Sequence, residues 1–307
     1  MTTADSANLF VKDSKLHIVP TLNDASLIET NNVINLTADG TCTSTVYSNC
    51  VVSTNTTNGT IVPPVRSARI NTKGKASIKY GKIEVTAKLP IGDWLWPAIW
   101  MLPSDSVYGS WPASGEIDIM ESRGNNQTYS LGGANFYSSA LHWGPTTTTD
   151  SYKSTSEQRS SLHSLFGDSY RKFGLVWNQK YILTYVDNQL LQTYYYNWPK
   201  NGFWAKGNFQ TTGVNGSTIS NPWAASPNKN APFDEEFYLI MNVAAGGTNG
   251  YFLDGSDGKP WLDKSDFAKS EFWQARNQWY PTWTKTNKAG DAQGQMIVDR
   301  VKMWKIC

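Results

Sequence analysis

Between Gly81 and Leu89 the chain alternates without a break, with Ile83, Val85, Ala87 and Leu89 on one parity and Lys82, Glu84, Thr86 and Lys88 on the other. A period of two sends successive side chains to opposite faces, so this segment is a strand with one buried and one wet face. The pattern recurs along the chain. Phe173–Trp177 and Tyr181–Val186 read as strands separated by Asn178-Gln179-Lys180, and Asp187-Asn188 reads as a tight turn before a strand over Gln189–Tyr195. Phe237–Ala244 is a more continuously apolar strand, and Met296–Ile306 alternates again. Helical periodicity is confined to Asp266–Trp279, where Phe267, Glu271, Phe272, Ala275 and Trp279 fall near one face. Many short strands with polar turns and few helices predict an all-β sandwich of two antiparallel sheets.

The 307 residues are expected to form one domain, 1–307, large enough to bury its own core without a metal or disulfide staple. Charged residues are 17% and the formal net charge is +2, with no run of like charges, which argues against a nucleic-acid partner. No stretch is long and apolar enough to span a bilayer. A monomer is expected. The 14 Trp, 15 Tyr and 11 Phe are a surplus that serves either a large core or the flat faces of sugars. Thr41–Thr60, Pro145–Ser161 and Lys200–Ala231 are rich in turn-forming residues and read as loops, the third long enough to be functional. Cys42 and Cys50 lie eight apart and suit a local disulfide, while Cys307 is left over. With Asn-x-Ser/Thr sequons at Asn35, Asn55, Asn58, Asn126 and Asn215, this favours a secreted glycoprotein. Met1–Asp5 has no apolar signal region, which fits a mature form behind an added Met.

One run breaks the alternation. In Gly115-Glu116-Ile117-Asp118-Ile119-Met120-Glu121, Glu116 and Asp118 share a face, but strict alternation sends Glu121 to the Ile face and into the core. An unpaired carboxylate there is very costly. A β-bulge at Ile119–Met120 inserts one extra residue and returns Glu121 to its fellow acids. Three acids on one concave surface suit retaining glycoside hydrolysis, which needs a nucleophile and a proton donor whose ionisation is pushed apart. By spacing alone a calcium site or a solvated acidic strand face fits equally well.

The heptad resembles the signature of glycoside hydrolase family 16, in the Glu-x-Asp-x-x-Glu form of its laminarinase branch. Arg66-Ser67-Ala68-Arg69-Ile70, Tyr80-Gly81-Lys82-Ile83-Glu84, Trp96-Pro97-Ala98-Ile99-Trp100-Met101-Leu102-Pro103, Trp111-Pro112, His142-Trp143-Gly144, Asn242-Val243-Ala244-Ala245-Gly246-Gly247 and Val298–Trp304 are similar to laminarinase segments in the same order. The resemblance implies a β-jelly roll with a substrate cleft on its concave face. It implies Glu116 as nucleophile, Glu121 as acid/base and Asp118 as helper. It also implies Trp100 and Trp111 as sugar-site aromatics, with His142 and Arg69 in the cleft. His142 and Trp100 have packing as the alternative, and the family match favours the cleft for both; Trp177, Trp204, Trp261, Trp273, Trp279 and Trp283 are read mostly as core or rim. Asp299 alone is too little to assign calcium, so neither metal nor cofactor is expected. The implied activity is a retaining endo-β-1,3-glucanase acting on β-1,3-glucan with some tolerance for mixed β-1,3/1,4 chains. The alternatives are a cell-wall transglycosylase using the same acids, or a non-catalytic β-1,3-glucan recognition protein of the kind that shares the scaffold but lacks the catalytic carboxylates.

Overall fold

The computed structural model describes residues 1–212, 216, 218–287 and 290–306; Cys307 and the sequon at Asn215 lie outside them. The alternating segments assemble into two seven-stranded antiparallel sheets, the expected jelly-roll sandwich. The outer sheet runs in the order Leu9–Lys12, Lys15–Ile18, Met296–Lys305, Gly81–Lys88, Arg171–Trp177, Tyr181–Val186, Gln192–Asn197. The inner sheet runs Ser156–Ser160, Phe136–His142, Glu116–Ser122, Leu95–Pro103, Phe237–Ala245, Arg69–Asn71, with Ser77–Ile78 also paired to Phe237–Ala245. Ile83, Val85 and Ala87 from the outer sheet share one core with Ile99, Met101 and Ile117 from the inner sheet, all fully buried. Their polar neighbours face outward, as the period of two requires.

The tryptophans sort by burial. Trp177, Trp198, Trp223, Trp261, Trp279 and Trp283 all donate to backbone carbonyls, and all are buried. A buried indole needs such a partner, so these six pack the core and tie loops to it. Trp96, Trp100 and Trp111 instead donate to side-chain oxygens of Glu121, Asn242 and Glu116. Trp143 and Trp273 are buried as well but donate to the side chains of Thr155 and Glu29, so burial rather than partner type separates core from cleft.

The bulge lies where the buried-carboxylate argument puts it. Asp118 pairs with Ala140 and Glu121 with Ser138, so Ile119 and Met120 together face the single residue Ser139. Across the other edge the register shifts in the same way, Trp100 opposite Asp118 and Ile99 opposite Met120. Ile119 and Met120 both enter the core. The bulge frees the Ile119 carbonyl from the ladder, and the buried Ser139 hydroxyl donates to it at 2.7 Å. Thr184, on the opposite sheet, donates in turn to Ser139 at 2.8 Å. The kink is thereby satisfied from within the sandwich, because an orphaned carbonyl there would carry its whole desolvation cost.

Several boundaries differ from the sequence reading. The strand expected over Gln189–Tyr195 begins at Gln192, because Asp187 adopts φ 59° and accepts Arg171, and the connection lengthens to leave Leu190 exposed. The single helix expected over Asp266–Trp279 is two, Ala268–Gln274 and Arg276–Thr284, meeting at Ala275. The break lets Phe272 stack on Trp279 at 4.2 Å, while Phe267 stays exposed. The stretches read as loops also carry structure. Tyr47–Cys50 is helical and Val51–Ser53 extended, Ser156–Ser160 is an edge strand, and Gly202–Gly207 is a helix that buries Phe203. Cys42 and Cys50 form the expected disulfide, with Cα atoms 5.6 Å apart.

If Ser139 supports the bulge, Ser139→Ala leaves the Ile119 carbonyl and the Thr184 hydroxyl unpaired and should cost about 1–3 kcal/mol. Urea unfolding measures this as a lower midpoint with unchanged slope; an unchanged midpoint would contradict it.

Candidate active site

The acids Glu116, Asp118 and Glu121 face a cleft of about 350 Å³ on the inner sheet, lined also by Arg69, Trp96, Trp100 and Asn242. Three neighbouring strands supply the walls. Trp96, Ala98 and Trp100 alternate onto the cleft face of Leu95–Pro103, while Leu95, Ile99 and Met101 alternate into the core. Asn242 projects from Phe237–Ala245, where it is opposite Ala98.

Each carboxylate has its own partner. Glu116 Oε2 accepts the Trp111 N–H at 3.0 Å. Glu121 Oε1 accepts the Trp96 N–H at 2.9 Å. Asp118 lies 3.1 Å from Nε2 of His142, an ion-pair distance. The same Nε2 is 4.0 Å from Glu116. On its other side, His142 Nδ1 is 2.6 Å from Asp150, whose second oxygen accepts the N–H groups of Trp143 and Tyr152. Tyr152 stacks on the imidazole at 4.8 Å and Trp111 tilts against it at 5.7 Å.

The electrostatics follow from this arrangement. Burial alone would lower the His142 pKa, but contacts with Asp118 and Asp150 and the charge of Glu116 outweigh it and raise it to about 11. The ring is therefore an imidazolium across the neutral range. Glu121 is pushed up to about 8, first by burial and then by the charge of Asp118, against the pull of His142 and the Trp96 N–H. Glu116 is also raised above the ordinary carboxylate range by burial and by Asp118. Glu116 faces the imidazolium at 4.0 Å, and among the described residues no cation lies within ion-pair distance of Glu121.

Glu116, Asp118 and His142 have atoms within 4.8 Å of one another, the spacing of a metal cluster. With the imidazole protonated, the same three groups form an internal ion pair.

Of the four expected binding residues, Arg69 and Trp100 line the cleft, and Trp111 and His142 stand beside it against Glu116. Trp100 donates to Asn242 at 2.7 Å, the Arg69 guanidinium lies 4.5 Å over the Trp100 ring, Trp111 is 41% exposed at the rim, and His142 joins two acids. Sequence reading missed Trp96, Asn242, Asp150 and Tyr152 as site residues. The first two had a signal. Trp96 shares the parity of Trp100, and Asn242 is the one polar residue in an apolar strand. Asp150 and Tyr152 sit on the connection after His142 and had none.

The Glycosyl hydrolases family 16 model matches residues 21–234. A β-1,3-glucan-binding protein of Penaeus monodon is 43% identical over 265 residues, covering 86% of this chain and 69% of that protein. Glucan endo-1,3-beta-glucosidase A1 of Niallia circulans is 41% identical over 181 residues, 59% of this chain, which spans only 22% of that longer protein. The laminarinase catalytic domain of Thermotoga maritima shares the fold, with a TM-score of 0.56 at 21% identity over 100% of this chain and 82% of that one. The match over most of the two sheets, together with the shrimp relative, shows that the chain belongs to glycosyl hydrolases family 16.

Proposed function

We propose that this chain is a retaining endo-β-1,3-glucanase, with some tolerance for mixed β-1,3/1,4-glucans. The observation that carries the reading is the division of labour among the acids. Glu121 is half-buried at the cleft and holds its proton up to about pH 8, while Glu116 faces an imidazolium and an indole N–H. On this reading Glu121 protonates the departing glycosidic oxygen as Glu116 attacks the anomeric carbon and forms a glycosyl-enzyme. Glu121, now ionised, then takes a proton from the water that releases the sugar with net retention. Asp118 and His142 form the pair between them. Asp118 holds the proton of Glu121 in place, and the imidazolium offsets the charge on Glu116. Trp100 and Trp111 offer ring faces to sugars, and Arg69 reaches hydroxyls from over Trp100. Secretion fits the Cys42–Cys50 disulfide and the exposed sequon side chains at Asn55, Asn58 and Asn126.

A second reading is favoured by one observation, the name of the shrimp relative, a glucan-binding protein. It requires tight glucan binding without turnover. New reducing ends from laminarin exclude it; their absence from mildly acidic to neutral pH excludes the glucanase. Oligosaccharides longer than the starting material would instead mark a transglycosylase.

Glu116→Ala should abolish turnover, and azide should rescue cleavage with inverted anomeric configuration, read by proton NMR of the product; rescue with retention contradicts the nucleophile. Glu121→Gln should slow laminarin at least about 100-fold while sparing aryl glycosides with good leaving groups, and equal loss on both contradicts the proton donor.

The pH profile of kcat/KM on laminarin should be a bell. Its alkaline limb reports loss of the Glu121 proton near pH 8, and its acid limb lies above the usual carboxylate range because Glu116 is raised. Asp150→Asn removes an anion from His142, so the imidazolium pKa should fall from about 11. Histidine NMR titration checks the shift; an unchanged His142 titration in Asp150→Asn would contradict the pairing.

A further inference from the structure

Behind the cleft wall, three side chains stack in a line that ends on Glu121. The Arg123 guanidinium lies 4.0 Å over the Tyr251 ring. That ring lies 3.8 Å from the Trp96 indole and within 6° of parallel to it. The indole N–H then donates to Glu121 Oε1 at 2.9 Å. Arg123 follows Glu121 by two residues and grips Tyr251 a second time, its Nε and Nη2 donating to the Tyr251 carbonyl at 3.0 and 2.8 Å.

The segment that carries Tyr251 is pinned as well. The side chain of Lys259 is wholly buried, and its ammonium binds Asp254 at 2.5 Å, Asp263, and the Phe252 carbonyl at 3.0 Å. It also sits 4.8 Å over the ring of Trp261, whose N–H donates to Gly247. The Leu253 N–H donates to the Tyr129 hydroxyl at 3.1 Å. A buried ammonium is costly unless fully partnered, and this one is, so the segment is built to hold one geometry.

Tyr251 itself does not line the cleft. Its hydroxyl is buried and, among the described residues, has no hydrogen-bond partner, so its ring makes the contact to Trp96. An indole on an open strand can turn about its side-chain torsions and swing its N–H away from a carboxyl group. A parallel ring against one face, itself capped by a cation, removes that freedom.

We propose that Tyr251 is a positioning residue for the acid/base Glu121, acting through Trp96: the Arg123–Tyr251–Trp96 stack keeps the indole N–H on Oε1 and so leaves the other oxygen to carry the proton toward the substrate. This rests on the glucanase reading above. Correct placement of the acid matters only when the leaving group needs a proton, which makes the role measurable.

The test compares kcat/KM on laminarin with kcat/KM on 2,4-dinitrophenyl β-laminaribioside, whose leaving group departs without a proton. Tyr251→Leu should lower the first about 10–100-fold and the second less than about 3-fold, and Tyr251→Phe should stay within about 3-fold of wild type on both. Equal losses on the two substrates, no loss in Tyr251→Leu, or a Tyr251→Phe enzyme as impaired as Tyr251→Leu would each overturn the proposal. Thermal melts establish that the variants fold. Should Tyr251→Leu not fold, Trp96→Phe keeps a stacked ring and removes only the N–H. It must show the same leaving-group-selective loss, and equal loss or none overturns the proposal. A wild-type protein inactive on both substrates would sink the glucanase reading itself. Leaving-group selectivity in Glu121→Gln without any in Tyr251→Leu sinks only the role of Tyr251.

Discussion

A regular strand cannot carry Glu116, Asp118 and Glu121 on one face, and one extra residue at Ile119–Met120 releases the chain from that rule. Everything at the cleft depends on this release. It brings the third acid into line opposite Ala98, beside Trp96, and sends Ile119 and Met120 together into the core. It also opens the hydrogen-bond ladder at one carbonyl, which Ser139 and Thr184 close from inside the sandwich. The site is therefore held by a contact between the two sheets, and core packing and cleft geometry are parts of one constraint.

Concentrating carboxylates creates an electrostatic difficulty that the surrounding residues resolve by asymmetry. One imidazolium, kept charged by Asp150 on its far side, lies at ion-pair distance from Asp118 and Glu116, and its charge also pulls on Glu121. Burial and the charge of Asp118 raise both glutamates. On the glucanase reading the contact with Glu116 favours its ionised form and leaves the proton on Glu121, the condition for acid and nucleophile to coexist at one pH. The indoles of Trp96 and Trp111 add one N–H to each glutamate.

Much of this was legible in the residues, for identifiable reasons. The alternation at Gly81–Leu89 exposed the sandwich because each core position in that strand is apolar and each outer one polar. The bulge was legible because the cost of burying Glu121 leaves no regular alternative. The misses share a cause. Asp150 and Tyr152 reach His142 through a connection with no periodicity, and Tyr251 reaches Trp96 from a segment more than a hundred residues away in sequence. The helix over Asp266–Trp279 splits because the Phe272–Trp279 stack decides its path, a tertiary preference that local periodicity does not encode. Sequons and sheet edges carry no such long-range information.

Relatives of this chain include both a glucan-binding protein and a glucan endo-1,3-beta-glucosidase, so the scaffold does not distinguish recognition from turnover. The glucanase reading proposed above rests that distinction on the site, and its central claim is that Glu116 forms a bond to the sugar. Incubation with a 2-deoxy-2-fluoro-β-laminaribioside carrying a dinitrophenyl leaving group, followed by peptide mass mapping, tests that claim directly. The account predicts one added sugar on the peptide containing Glu116, assigned to that side chain by fragmentation. A label on Asp118 or Glu121, or no label while laminarin is still being cleaved, would contradict it.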